Sequence, residues 1–149
     1  MSILGAMFGK KKAELTTAAK KFENRDLMEA LVGGKILMMY CDGKVEDSEL
    51  TSLEAQLQAN PSLEHFGPEI NATINKFSQM FDSGFRMGKL KVMREIADVK
   101  SSQLEKEEVF VAMITMAEAD GDIDAKELDV LKEVGRTLGL NLKDYGIDA

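Results

Sequence analysis

A nine-residue acidic turn occurs twice in this chain, and the repeat limits the folds open to it. Asp42-Gly43-Lys44-Val45-Glu46-Asp47-Ser48-Glu49-Leu50 aligns without gaps on Asp120-Gly121-Asp122-Ile123-Asp124-Ala125-Lys126-Glu127-Leu128, 78 residues further on. Each copy follows an apolar stretch with helical character and opens a second helix. Upstream of the turns, Leu31 aligns with Val109, Val32 with Phe110, Ile36 with Ile114 and Met38 with Met116. A helix that is apolar almost all round belongs in the middle of a bundle. Neither unit buries its central helix alone, so the two are expected to pack on each other. The expectation is an all-α fold: a single compact bundle of about seven helices over 1–149, built from two helix-turn-helix units at 26–60 and 104–139.

Strand signals are nearly lacking, and the helix signals fall in order along the chain. A basic amphipathic stretch covers 10–23. Asp26, with Glu29 three residues on, is placed as the N-cap of a helix over 27–41. Gly33-Gly34 within that helix costs about 1 kcal/mol of propensity per glycine, which points to close approach by a neighbouring helix. A second helix over 47–59 stops at Asn60-Pro61, because the residue before proline is forced out of helical geometry. Pro68 opens a third, with Ile70, Ile74, Phe77 and Phe81 at helical spacing. A fourth, over 85–99, carries Met87, Leu90, Met93 and Ile96. The second unit supplies helices over 103–119 and 125–138, the latter with Leu128, Leu131, Val134 and Leu138 on one face and Gly139 as its C-cap. A short polar tail from Asn141 to Ala149 ends the sequence.

With 149 residues, 44% of them hydrophobic, the chain is long enough for a real core. A net charge of −7 argues against general nucleic-acid binding, which requires phosphate-neutralising Lys and Arg. The single Cys41 cannot form an internal disulfide, so a reducing compartment is expected. No apolar run approaches the roughly 20 residues of a membrane span. The opening Met1 to Phe8 is too short for a signal h-region, and its lysines follow rather than precede it. A cytoplasmic protein is the expectation. Lys10, Lys11, Lys12, Lys20 and Lys21 make the N-terminal stretch basic, and with Ile3, Leu4, Met7 and Phe8 it offers weak peripheral contact with an anionic membrane surface. Folding back onto the bundle is the simpler reading.

The acidic turns hold the only concrete chemistry. In the second copy Asp120, Asp122 and Asp124 alternate and Glu127 follows three residues later, collecting carboxylates that suit a hard cation, Ca²⁺ or Mg²⁺. The turn is not an EF-hand, since glycine falls at position two and Leu131 at position twelve. Capping accounts for part of it: Asp124 serves as an N-cap with Glu127 as its reciprocal partner, and Gly121 as the left-handed residue after the preceding helix. Capping leaves Asp120 and Asp122 without a role, so caps alone and caps with a cation both stand. In the first copy Lys44 replaces the middle aspartate and places an ammonium beside any ion held by Asp42, Glu46 and Glu49. Whether the two turns share one site is open at this level.

Other chemistries have little support. His65 is the only histidine, and it lies in a loop after Pro61. Cys41 reads as a buried thiol without a catalytic partner. The ten methionines mostly occupy helical core positions. No basic cluster lies near the acids in sequence to hold a phosphate, which argues against a Mg²⁺-dependent hydrolytic enzyme.

Taken together, the two D-G-x-[IV]-x₃-E-L turns, the apolar helices before them and the basic N-terminus resemble the tellurite-resistance TerB family. The likeness extends from Met1-Ser2 to Leu142-Lys143-Asp144-Tyr145-Gly146-Ile147 and is most specific at Met116 to Asp124 and the helix that follows. TerB-like domains also occur within larger proteins, including some co-chaperones. The resemblance implies about seven helices in duplicated halves and a part in resistance to tellurite, phage and related stresses. It also implies membrane-embedded and calcium-binding protein partners of the same system; the expected location is the cytoplasm, with the inner face of the membrane as a place of contact. It implies metal binding by the acidic turns, which carries over to Asp42, Glu46 and Glu49 and to Asp120, Asp122, Asp124 and Glu127. It implies no enzymatic activity. A purely structural adaptor, with the turns acting only as caps, is the alternative.

Overall fold

Helix α1 is apolar on almost every side, and the structure surrounds it. The computed structural model describes residues 25–100, 102–119 and 121–147. Within these, α1 covers 25–41. Five further α-helices follow: α2 (Asp47–Gln58), α3 (Pro68–Ser83), α4 (Phe85–Ala97), α5 (Gln103–Glu118) and α6 (Ala125–Leu138). Short 3₁₀ turns occupy Pro61–Leu63 and Leu142–Tyr145. The chain is all-helical, with no strand among the described residues. The basic stretch over 10–23 lies outside them. No helix of the described residues is long and apolar enough to cross a membrane.

Leu27, Met28, Leu31, Val32, Ile36, Leu37 and Met38 of α1 are all buried. Gly33 and Gly34 mark where the neighbours come closest. A Cβ at Gly33 would lie 3.2 Å from Val92 Cγ2 on α4 and 3.3 Å from the Phe77 ring on α3. At Gly34 it would lie 2.9 Å from Met113 Cγ and Sδ on α5. The glycine pair therefore seats α1 between α3 and α4 on one side and α5 on the other. The second central helix, α5, buries Val109, Phe110, Met113 and Ile114. It is capped by Ser102, whose Oγ accepts from the Glu105 N–H at 3.1 Å.

Two local expectations, the Asp26 cap and the polar tail, need correction, and the structure settles which face of α4 is buried. Asp26 is not an N-cap, because the helix already includes Arg25 and Asp26. Arg25 instead reaches Glu29 and, across to α3, Glu69, both at 3.3 Å. On α4, Met87 and Leu90 are exposed, and the buried face is Gly88, Val92 and Ile96. Residues four apart stay on one side of a helix, whereas the three-residue steps from Met87 to Ile96 drift round it. The C-terminal segment is less polar in its packing than its composition suggests. Leu142 is buried, and the Tyr145 ring meets Phe110 edge-on at 5.0 Å.

The α3–α4 corner carries an aromatic stack. Tyr40 lies flat on Phe81, with centroids 4.7 Å apart and planes 9° apart, and Phe85 tilts onto Phe81 at 5.7 Å. Gly88 leaves room for it, since a Cβ there would sit 2.5 Å from the Phe81 ring. The ring is flanked by Tyr40 and Phe85 and cannot swing away. Gly88→Ala is expected to lower stability by about 1–2 kcal/mol despite alanine's better helix propensity, because overpacking outweighs that gain; urea denaturation measures it.

At the far side of α4, Glu95 faces Glu29 of α1. Burial, a side-chain hydrogen bond with Glu29 and the Glu29 charge push the Glu95 carboxyl up to about 7; Lys76 opposes the shift and Asp98 adds to it. The folded pKa is raised, so the proton contributes stability below the ordinary carboxylate value of 4.5, and that contribution is lost as pH rises through about 7. Glu95→Gln is therefore expected to raise the melting temperature at pH 8 and to leave it nearly unchanged at pH 4; paired thermal melts at the two pH values check the sign.

Candidate functional site

Both acidic turns are built the same way. After α1, the Gly43 N–H donates to the Tyr40 carbonyl at 3.1 Å, and Gly43 takes φ +106°. After α5, the Gly121 N–H donates to the Glu118 carbonyl at 3.0 Å, with φ +118°. Positive φ is the region glycine enters at least cost, which is why both turns begin Asp-Gly. Each turn then caps the next helix. Asp124 Oδ1 accepts from the Glu127 N–H at 2.8 Å, and Glu127 Oε1 accepts from the Asp124 N–H at 3.1 Å. In the first copy the Glu46 N–H donates to Glu49 Oε1 at 3.1 Å.

The fold then crosses the two copies. Asp42, from the end of α1, stands beside the α6 cap, and one carboxylate oxygen each from Asp42, Asp124 and Glu127 lies within 4.8 Å of the others. Oxygens on opposite sides of a Ca²⁺ ion stand about 4.6–5.2 Å apart, given ligand distances of about 2.3–2.6 Å. The three carboxylates are thus spaced as ligands of one ion could be. Capping does not exhaust them, since an ionised carboxylate has about four lone-pair sites.

Burial sets the electrostatics. Glu127 is 5% exposed, while Asp42 and Asp124 are exposed. Burial raises the Glu127 carboxyl above its ordinary range; the Asp124 N–H opposes this, and the Asp42 and Asp124 charges reinforce it. Asp124 is held low, chiefly by the Glu127 N–H, with desolvation opposing and the Asp42 side chain and the Lys126 N–H helping. Cys41 adjoins the cluster, but burial first, and then Glu127, Asp42 and Asp124, push its thiol up to about 12. It is a neutral, buried thiol and not a nucleophile at ordinary pH.

Of the seven carboxylates read from the sequence, the structure assembles Asp42, Asp124 and Glu127. Glu46 and Glu49 remain at the α2 cap and do not join them. Asp122 is exposed and outside the cluster. Asp120 lies outside the described residues.

The fold also supplies groups that the linear sequence did not place here. A cavity of about 710 Å³ opens beside Cys41 and Asp42, and Lys44, Lys89 and Lys126 all line it. The absence of a basic cluster near the acids is therefore a property of the sequence order and not of the fold. Lys89 comes from α4 and carries no local signal of its place. Its Nζ pairs with Glu133 Oε2 at 2.7 Å, tying α4 to α6.

Two apolar central helices are each followed by an Asp-Gly turn and a capped helix. The profile of the family described as tellurite resistance protein TerB matches residues 28–147. The chain belongs to the TerB family. The match begins in α1 and ends just past the last 3₁₀ turn, so both acidic turns of this TerB-family chain lie inside it. No curated protein gives a significant match, and neither does any solved structure.

Asp124 combines capping and clustering in one side chain, and substitution separates the two. Asp124→Ala is expected to lower the unfolding midpoint through the lost cap, whereas Asp124→Asn keeps a capping oxygen and should recover most of it. Denaturant unfolding of both variants in chelator makes the comparison.

Proposed function

We propose that this TerB-family protein is a non-enzymatic, cation-responsive interaction module of the tellurite-resistance system. In this reading Asp42, Asp124 and Glu127 hold one divalent cation, Ca²⁺ or Mg²⁺, at the junction of the two helical units. The observation that carries it is the convergence of three carboxylates from turns far apart in sequence, one of them buried. Like charges so placed repel, and a cation would convert that repulsion into attraction between the end of α1 and the start of α6. Occupancy would then tighten the joint between the two units and change the surface presented to protein partners, a membrane-associated partner among them. The family match supports the system, and the carboxylate chemistry supports the class of ion.

The second reading, a structural adaptor whose turns are only caps, is favoured by the capping hydrogen bonds, which close without any ion. Thermal unfolding separates the two. A ligand bound only to the native state stabilises it by about 2.7 kcal/mol at a hundredfold excess over its dissociation constant. Millimolar Ca²⁺ or Mg²⁺ is therefore expected to raise the midpoint by several degrees over chelator, and Asp42→Asn to abolish the rise. An unchanged midpoint, or a rise that survives Asp42→Asn, would leave the adaptor reading in place.

A further inference from the structure

The cavity beside the acidic cluster has a composition that neither capping nor cation binding requires. One wall is aromatic: Tyr40, Phe81 and Phe85 all line it. This wall is fixed, because Tyr40 stacks on Phe81 and its hydroxyl donates to Asp82 Oδ1 at 3.1 Å. Phe85 is 40% exposed, a large aromatic surface left open to water at the cavity edge. The cavity is also lined by Lys44 from the first acidic turn, Lys126 from the first turn of α6 and Lys89 from α4. Lys89 is held by Glu133, but Lys44 and Lys126 make no ion pair among the described residues. These two ammonium groups stand in a chain whose net charge is −7, and both line the cavity with the aromatic wall.

The geometry points to a binding site for a small organic anion with a planar ring, the ring against the open side of Phe85, which Phe81 backs, and the anionic head on Lys44 and Lys126. A volume of about 710 Å³ falls within the range of small-molecule sites, about 300–1,000 Å³. Lysine serves phosphate as a mobile point charge, so a phosphate monoester is the head group this pair suits best. Ring stacking on an exposed aromatic adds affinity beyond the area it buries. Asp42, Asp82 and Asp129 also line the cavity, and their charges confine an anionic head to the Lys44 and Lys126 side and disfavour a second anionic group on the same ligand. The site thus selects one head and one ring. It adjoins the carboxylate cluster through Asp42 but does not depend on an ion there.

The test is an amide chemical-shift titration of the full chain with 1-naphthyl phosphate, carried out in chelator so that it is independent of the cation reading. Saturable shifts are expected at Lys44, Phe85, Lys89 and Lys126, with inorganic phosphate and 1-naphthol each binding at least tenfold more weakly. The double substitution Lys44→Ala and Lys126→Ala, at exposed positions, should weaken 1-naphthyl phosphate at least tenfold. Lys100→Ala, exposed and away from the cavity, should leave its affinity unchanged. The inference is overturned if millimolar 1-naphthyl phosphate shifts no cavity residue, if the double variant binds it as well as the parent, or if inorganic phosphate alone binds equally well. A matching two-dimensional spectrum of the double variant shows that its fold is kept.

Discussion

Helix α1 buries side chains around its whole circumference, so it needs neighbours on every side, and Gly33 and Gly34 are where those neighbours come nearest. Val92 and Phe77 press on one glycine and Met113 on the other, at distances where an added methyl group would force these neighbours to shift. Close-packed interiors transmit such constraints, because a shift in one helix has to be matched by its neighbours. The position of α1 in turn fixes where it ends. That end delivers Tyr40, Cys41 and Asp42 to the place where α4 and α6 meet. The aromatic stack, the buried thiol and the acidic cluster are all consequences of how one helix is seated.

The repeat announced two similar turns, and their local architecture is indeed similar: a glycine at positive φ, then a reciprocal cap. Their surroundings differ. The second turn gains Asp42 from the first and becomes a three-carboxylate cluster, while Glu46 and Glu49 of the first turn stay with their own cap. Lys44, which breaks the acidic alternation of the first copy, lines the neighbouring cavity with Lys126 and Lys89. Divergence between the copies thus places opposite charges side by side in this region of the fold.

Much of this was legible in the sequence. Helix order, the glycine pair as a contact point, the Asp124–Glu127 cap and the Gly139 C-cap all follow from local rules of periodicity and capping, and each is found. Two things were not. The buried face of α4 does not follow from its apolar residues, which exceed what one face can hold: Met87 and Leu90 point outward while Gly88 is the contact. The assembly of Asp42 with Asp124, and of Lys89 with Lys44, was invisible because it depends on how α1, α4 and α6 dock. Nothing in a residue's near neighbours along the chain encodes that.

Asp42 and Asp124 are 82 residues apart along the chain, and Glu127 stands with them only when α6 has docked against the end of α1. No fragment containing a single acidic turn holds the three carboxylates, and neither does an unfolded chain. The cluster is therefore a property of the completed fold and not of either motif. A local opening that releases α6 would erase it at once, even with every residue of both turns intact.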